Sequence, residues 1–262
     1  MPDVDLGQFR LHYRESGVGI PLVFLHGFTL DSRLWLAQAS HFSSRFRVLC
    51  PDARGHGRSD APETGYGRDD RVEDLRQFAD TLQLDRFHLV GLSMGGSTAI
   101  GFALKHQERL RSMALVSTGA AGYRFGGRIE KIDQLAREQG VEVARRKWME
   151  WSLRWFTDER AEIYKQLKMM MAEHSGAIWR DKMRGRYPRT FDLDHAHRIT
   201  VPTAVFAGGL DRMFLPLAEQ LHRRIPNSTL RVLEGVGHMI NMEIPELFNQ
   251  ELEAFLKTAT ES

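Results

Sequence analysis

Leu89-Val90-Gly91-Leu92-Ser93-Met94-Gly95-Gly96 decides how the rest of this chain is read. Phe87 to Val90 is a short apolar run, long enough for a buried strand of a parallel sheet. Ser97 to Lys105, rich in small residues, predicts a helix. Between them, Gly91-x-Ser93-x-Gly95 matches the nucleophile-elbow pattern. The logic of that pattern is steric. A serine on so sharp a turn is driven toward unfavourable backbone angles, and side chains at 91 or 95 would collide with the neighbouring strand and helix. In return the Oγ stands above the sheet edge, beside the N–H groups of a helix N-terminus that stabilise negative charge. Gly-x-Ser-x-Gly also occurs by chance in loops, so it is the strand before it and the helix after it that select the elbow.

Toward the N-terminus, Phe9 to Arg14 alternates apolar and polar after a turn at Leu6-Gly7, which predicts an antiparallel hairpin at a sheet edge. Pro21 to Leu25 is a buried strand running into His26-Gly27-Phe28-Thr29. Asp31-Ser32 can cap a helix carrying Leu34, Trp35 and Ala39. Phe46 to Cys50 is the next strand, and a glycine-punctuated loop, Asp52 to Asp60, follows it. A helix from about Asp70 to Leu82 places Val72, Leu75, Phe78, Ala79 and Leu82 on one face. Beyond the elbow come strands at Met113 to Val116, Val201 to Gly208 and Thr229 to Leu233, with helices opening at Leu215-Pro216 and at Pro245. Strands separated by helices predict an α/β fold, a mostly parallel sheet covered on both faces.

The rhythm breaks at Thr118 to Gly122, and no clear buried strand returns before Arg198. This is an insertion between two strands rather than a second domain after a linker. It divides the chain into a core of residues 1–120 and 199–262 and a helical cap, or lid, of residues 121–198. No internal repeat or low-complexity tract is present.

The 262 residues suffice for one sizeable core. A net charge of +2 gives no reason to expect a nucleic-acid partner. The single cysteine, Cys50, excludes an internal disulfide framework; its place at the end of an apolar run marks a buried structural thiol. The N-terminus lacks the basic start and apolar core of a signal peptide, and no apolar run approaches bilayer-spanning length. The expectation is a soluble cytoplasmic protein with no membrane partner.

A serine nucleophile needs a base and a group to orient that base. In doubly wound sheets such groups come from loops at the carboxyl ends of strands, and after this elbow the expected order is acid, then histidine. The loop after Val201–Gly208 supplies Gly209-Leu210-Asp211, and the loop after Thr229–Leu233 supplies Gly235-Val236-Gly237-His238. Asp211 could also cap the helix ahead of Pro216. His195 and His197 lie in the insertion and His222 on a surface helix, which leaves His238 as the base. The oxyanion donors are expected to be the backbone N–H groups of Phe28 and Met94. His26 reads as a structural hydrogen-bonding residue rather than a second base.

These residues, with Trp35, Asp52-x-Arg54-Gly55-His56-Gly57-x-Ser59 and Gly237-His238-Met239-Ile240-Asn241-Met242-Glu243 before Pro245, give the chain a clear resemblance. It resembles the α/β-hydrolases of the esterase/lactonase branch and is similar to 3-oxoadipate enol-lactonase-like proteins. The resemblance covers nearly everything except the insertion. It implies a mostly parallel eight-stranded sheet and an architectural Asp52–Ser59 loop. It also implies a Ser93–His238–Asp211 hydrolase acting on a small-molecule carboxylic ester or lactone. No metal or organic cofactor is expected, since neither a zinc motif nor a dinucleotide fingerprint appears. A homodimer is compatible with this reading. Serine rather than aspartate at the elbow argues against haloalkane dehalogenases and epoxide hydrolases. A C–C bond hydrolase, a cofactor-free perhydrolase and a non-enzymatic ligand sensor on the same fold stay open.

The insertion carries 17 Lys/Arg against 12 Asp/Glu, so the remainder of the chain is net negative. Trp148, Trp151 and Trp155 gather on one helical side, followed by Met169, Met170, Met171, Trp179 and Met183. Most of these are expected to glue the insertion to the sheet. Trp151, Trp155 and Met239, with Phe28 and Met94, are the candidates for an apolar substrate pocket.

Overall fold

The computed structural model describes residues 2–123, 125, 127–153, 161–181 and 191–261. Their strands are β1 (Asp3–Asp5), β2 (Arg10–Ser16), β3 (Ile20–Leu25), β4 (Phe46–Pro51), β5 (Phe87–Leu92), β6 (Leu110–Val116), β7 (Thr203–Gly208) and β8 (Ser228–Leu233). The helices are α1 (Leu36–Phe42), α2 (Arg68–Thr81), α3 (Met94–His106), α4 (Arg128–Gln139), α5 (Val141–Ser152) and α6 (Ala161–Glu173). They continue with α7 (Ala177–Arg180), α8 (Asp192–His195), α9 (Leu215–Arg224), α10 (Ile240–Glu243) and α11 (Pro245–Glu261). Among the described residues no helix is long and apolar enough to cross a membrane.

All eight strands form one sheet in the order β1-β2-β4-β3-β5-β6-β7-β8, antiparallel at β1/β2 and β2/β4 and parallel elsewhere. The hairpin expected at Phe9–Arg14 is the β1/β2 pair. The inner strands β5 and β7 are buried at every residue, as apolar runs covered on both faces must be. The edge strand β8 instead alternates exposed and half-buried positions, and its Arg231 pairs with Glu251 of α11.

The period of two divides the core in half. Leu22, Phe24, Val90, Leu92, Val116 and Phe206 pack with Trp35, Phe42 of α1 and Phe248 of α11. Val23, Leu25, Leu89, Leu115 and Val205 pack on the opposite face with residues of α2, α3 and α9. Cys50 is buried, and that burial holds its thiol pKa well above the ordinary value, so it is an inert core group.

β4 follows β3 to one side and β5 returns to its other side, so the chain switches direction across β3. Such a point opens a crevice at the carboxyl ends of the strands. The register Leu25↔Gly91 sets the loops after β3 and β5 side by side, and Gly208↔Leu233 does the same for the loops after β7 and β8.

Between β6 and β7 the described residues form α4 to α8 and no strand. Ala144, Trp148, Leu167, Met170 and Ile178 from this segment join the same apolar cluster as Trp35 and Phe248. Several boundaries differ from the sequence reading: β6 starts at Leu110 rather than Met113, β7 at Thr203 rather than Val201, and the helix expected after Asp31 is a 3-10 turn, Ser32–Trp35, followed by α1. α3 begins at Met94, because Gly95 and Gly96, poor helix formers by propensity, are helical here. The short α10 leaves too few residues for a helical period to show.

Candidate active site

Ser93 lies between the end of β5 at Leu92 and the start of α3 at Met94, with φ 54° and ψ −108°. That backbone lies outside the ordinary regions for a residue with a side chain, and it persists because its surroundings over-determine it. The Ser93 N–H donates to the Val116 carbonyl at 3.0 Å, and its carbonyl accepts from Gly119 at 2.9 Å and Ser97 at 3.1 Å. The flanking glycines are required by close approach. A Cβ on Gly91 would meet the Gly95 carbonyl oxygen at 2.5 Å, and one on Gly95 would strike the backbone oxygens of Leu25 and His26.

Asp211 and His238, 27 residues apart in sequence, meet at the ends of β7 and β8. His238 Nδ1–H donates to Asp211 Oδ2 at 2.7 Å, and both side chains are buried. Asp211 Oδ1 accepts from Phe214 N–H at 3.4 Å in the turn ahead of α9, whose N-cap is Phe214 with no side-chain cap. The expected helix cap at Asp211 is therefore not met, while its other carboxylate oxygen holds the imidazole of His238. The Phe214 ring lies on the imidazole of His238, with centroids 4.3 Å apart.

The loop carrying His238 is gripped by a residue whose role sequence reasoning missed. The buried carboxylate of Glu243 accepts from Gly237 N–H at 3.0 Å through Oε2 and from Met239 N–H at 3.1 Å through Oε1. It thus holds the backbone on both sides of the histidine. Its signal was present, an acidic residue five positions beyond His238, but nothing local tells that it folds back onto the loop.

His26 donates from Nδ1 to the Gly27 carbonyl at 2.8 Å and accepts at Nε2 from Ala53 N–H at 2.9 Å. Both nitrogens are occupied by backbone, which fixes a structural tautomer. The Asp52–Ser59 loop is architectural in the same sense. Asp52 accepts from Ser32 N–H at 2.7 Å and Arg58 N–H at 2.9 Å, while Arg54 forms a bidentate pair with Asp74.

Ser93, His238, Phe28, Met94, Trp151 and Met239 all line one cavity of about 700 Å³. Asp211 sits behind the imidazole rather than on the cavity wall. Trp155 and Met183 lie outside the described residues. Unforeseen parts of the lining are Tyr66 and Arg68 ahead of and within α2, and Phe214. Arg68 pairs with the buried Asp192 at 3.0 Å, whose other oxygen accepts from Ala121 N–H at 2.6 Å. Burial raises the Asp192 carboxyl pKa against the opposing pull of Arg68. Among the described residues no group of three or more His, Cys, Asp or Glu is placed to hold a metal ion.

The family model described as alpha/beta hydrolase fold matches residues 20–245. This chain belongs to that family. Among the relatives of this alpha/beta hydrolase is 3-oxoadipate enol-lactonase 2 of Acinetobacter baylyi, 30% identical over 238 residues, with 90% of this chain and 88% of the relative covered. The enol-lactonase from Burkholderia xenovorans LB400 superposes with a TM-score of 0.87 at 25% identity, covering 98% of this chain and 100% of that one. A thermophilic esterase from Thermogutta terrifontis gives 0.85 at 27% identity over 96% and 94%. The resemblance read from the motifs, to the esterase/lactonase branch of the alpha/beta hydrolases, is met by these relatives.

Proposed function

We propose that this alpha/beta hydrolase cleaves a carboxylic ester or lactone through a serine-bound acyl intermediate. One observation carries the reading: the strained Ser93 turn opens on the same cavity as His238, and His238 is held by Asp211 at 2.7 Å. In this mechanism the Ser93 Oγ attacks the carbonyl carbon while His238 Nε2 takes its proton. Asp211 keeps Nδ1 protonated and stabilises the imidazolium that forms. The carbonyl oxygen, now an oxyanion, is held by the backbone N–H groups of Phe28 and Met94. Collapse of the adduct expels the alkoxide, which leaves with the proton from His238. Water, deprotonated by His238, then releases the carboxylic acid and restores Ser93. In a lactone the leaving alcohol stays tethered to the acyl group, so one product results.

The cavity walls favour an apolar acyl or alcohol portion, with Phe28, Trp148, Trp151, Met171, Ile178 and Met239 facing it. Helices α5, α6 and α7 act as the cap over this space and set which esters enter. The enol-lactonase and esterase relatives support the same class of reaction. A fluorophosphonate probe is expected to label Ser93 and no other residue. Ser93→Ala is expected to abolish both labelling and turnover of p-nitrophenyl butyrate, with the fold intact by circular dichroism. Hydrolysis that persists in Ser93→Ala overturns the mechanism. Labelling without turnover of any ester or lactone points to the ligand sensor instead.

A further inference from the structure

Thr29 stands where a threonine should not. Leu30 N–H donates to the Gly27 carbonyl at 3.2 Å, closing a four-residue turn over Gly27-Phe28-Thr29-Leu30. Its third residue, Thr29, has φ 61°. Turns with positive φ at that position favour glycine or asparagine, and a β-branched residue there is a true outlier. Strain of this kind persists where it serves a site.

The hydroxyl shows what is gained. Thr29 Oγ1–H donates to the Phe28 carbonyl at 2.6 Å, and the same oxygen accepts from Trp148 Nε1–H at 2.7 Å. A hydrogen-bond chain thus runs from α5 through Thr29 to the carbonyl of the residue assigned as an oxyanion donor. Each bond in such a chain polarises the next. The Phe28 ring is held from the same side, edge-on against Trp148 at 5.0 Å and Trp179 at 5.8 Å.

We infer that Thr29 and Trp148 are positioning residues for the oxyanion loop, so that the segment between β6 and β7 takes part in transition-state stabilisation as well as substrate choice. The inference rests on the serine-hydrolase reading above. The bond to the Phe28 carbonyl holds the Phe28–Thr29 peptide plane, and the preceding Gly27–Phe28 plane, which carries the Phe28 N–H, is held through its carbonyl by His26 Nδ1 and Leu30 N–H; with both planes held, the N–H keeps its aim. That aim matters most when the carbonyl oxygen carries charge, so its loss appears in kcat rather than KM.

The test is a double-mutant cycle on Trp148→Phe and Thr29→Val, with Thr29→Ser and Thr29→Gly alongside. Readouts are kcat and KM for p-nitrophenyl butyrate and the affinity for butylboronic acid. The boron of that acid accepts an electron pair from Ser93 Oγ, whose proton passes to His238, giving an anionic tetrahedral adduct. Trp148→Phe keeps an aromatic ring beside Phe28 but removes the pyrrole half of the indole together with its N–H donor, and the double-mutant cycle separates the two losses. Trp148→Phe is expected to lower kcat and boronate affinity about tenfold with KM within about twofold, since one oxyanion donor is worth about a hundredfold or more when lost outright. Thr29→Val should lose at least as much, and adding Trp148→Phe to it should cost nothing further. Thr29→Ser, which keeps the hydroxyl, should restore kcat. Thr29→Gly separates strain from function: it relieves the positive φ but leaves Trp148 Nε1–H without its acceptor, and kcat should fall as in Thr29→Val. Thr29→Gly with wild-type kcat, or losses that add in the double variant, overturns the inference and leaves the hydrolase reading intact. A wild-type protein without Ser93-dependent turnover overturns both.

Discussion

The two walls of the cavity are built on different principles. The sheet wall carries Ser93 and His238, with Asp211 behind, each set by backbone hydrogen bonds at a strand end. The opposite wall carries Trp148, Trp151, Met171 and Ile178 on α5, α6 and α7, and is set mainly by apolar packing. Hydrogen-bonded backbone holds a reacting atom to a fraction of an ångström, which proton transfer and oxyanion binding demand. Packed side chains tolerate exchange of volume, which suits a surface that selects among substrates. Damage to the first wall should therefore appear in kcat, and damage to the second, Trp148 apart, in preference among substrates.

The largest effect expected is on Asp211. Asp211→Asn leaves His238 without its orienting carboxylate and should lower kcat by about a thousandfold to ten-thousandfold. Near-ultraviolet circular dichroism should match the wild type. Turnover close to wild type would move the acid elsewhere.

Next in size is a weakness beneath the sheet wall itself. His88 of β5 is buried against Ser112, with Nδ1 2.8 Å from Oγ, and burial lowers its pKa to about 4, with Arg111 adding to the shift. Unfolded, the imidazole titrates near its ordinary value of about 6.5. The unfolded chain thus takes up the proton first, so this contribution to stability is complete above about pH 6.5 and declines as pH falls toward 4. His56, lowered by burial and by its histidine neighbours, acts in the same direction. Between pH 7 and pH 5, His88 alone should cost about 2 kcal/mol in urea unfolding. His88→Gln should remove most of that dependence; an unchanged slope would place the loss in other groups.

Glu243→Gln sharpens the comparison at finer scale. An amide turns one acceptor of the clamp into a donor facing a backbone N–H, so the loop around His238 loosens. The expected loss is about tenfold in kcat with KM little changed, read from steady-state kinetics. A change in KM alone would show that the clamp shapes the pocket and not the base.

The smallest effect belongs to the helical wall. Trp151→Ala should shift the ratio of kcat/KM between p-nitrophenyl octanoate and p-nitrophenyl acetate by about threefold to tenfold, while the rate of labelling of Ser93 by a small fluorophosphonate changes little. An equal loss on both esters would put Trp151 on the catalytic side of the comparison, where the hydrogen bond from Trp148 to Thr29 already places its neighbour.

Local patterns carry far in this chain. Apolar runs such as Pro21–Leu25 and Val201–Gly208 mark the inner strands, because a strand buried on both faces has little choice of residue. Gly91 and Gly95 mark the elbow, because a Cβ there would strike neighbouring backbone. The order of Ser93, Asp211 and His238 follows from successive strand ends. Other features are not local. Glycines so favourable to the elbow hid the true start of α3, since intrinsic propensity and tertiary need point in opposite directions there.

Sequence by itself determined the α/β fold, the strand run and the elbow, because each depends on periodicity or on steric demands within a few residues, and the order of strand ends pointed to Asp211 beside His238. Only the tertiary structure decided that Glu243 turns back on the His238 loop, that Phe214 covers the imidazole, and that Trp148 reaches Thr29 across 119 residues of chain. Those contacts depend on the distance and angle between packed elements, which no spacing of residues along the chain encodes.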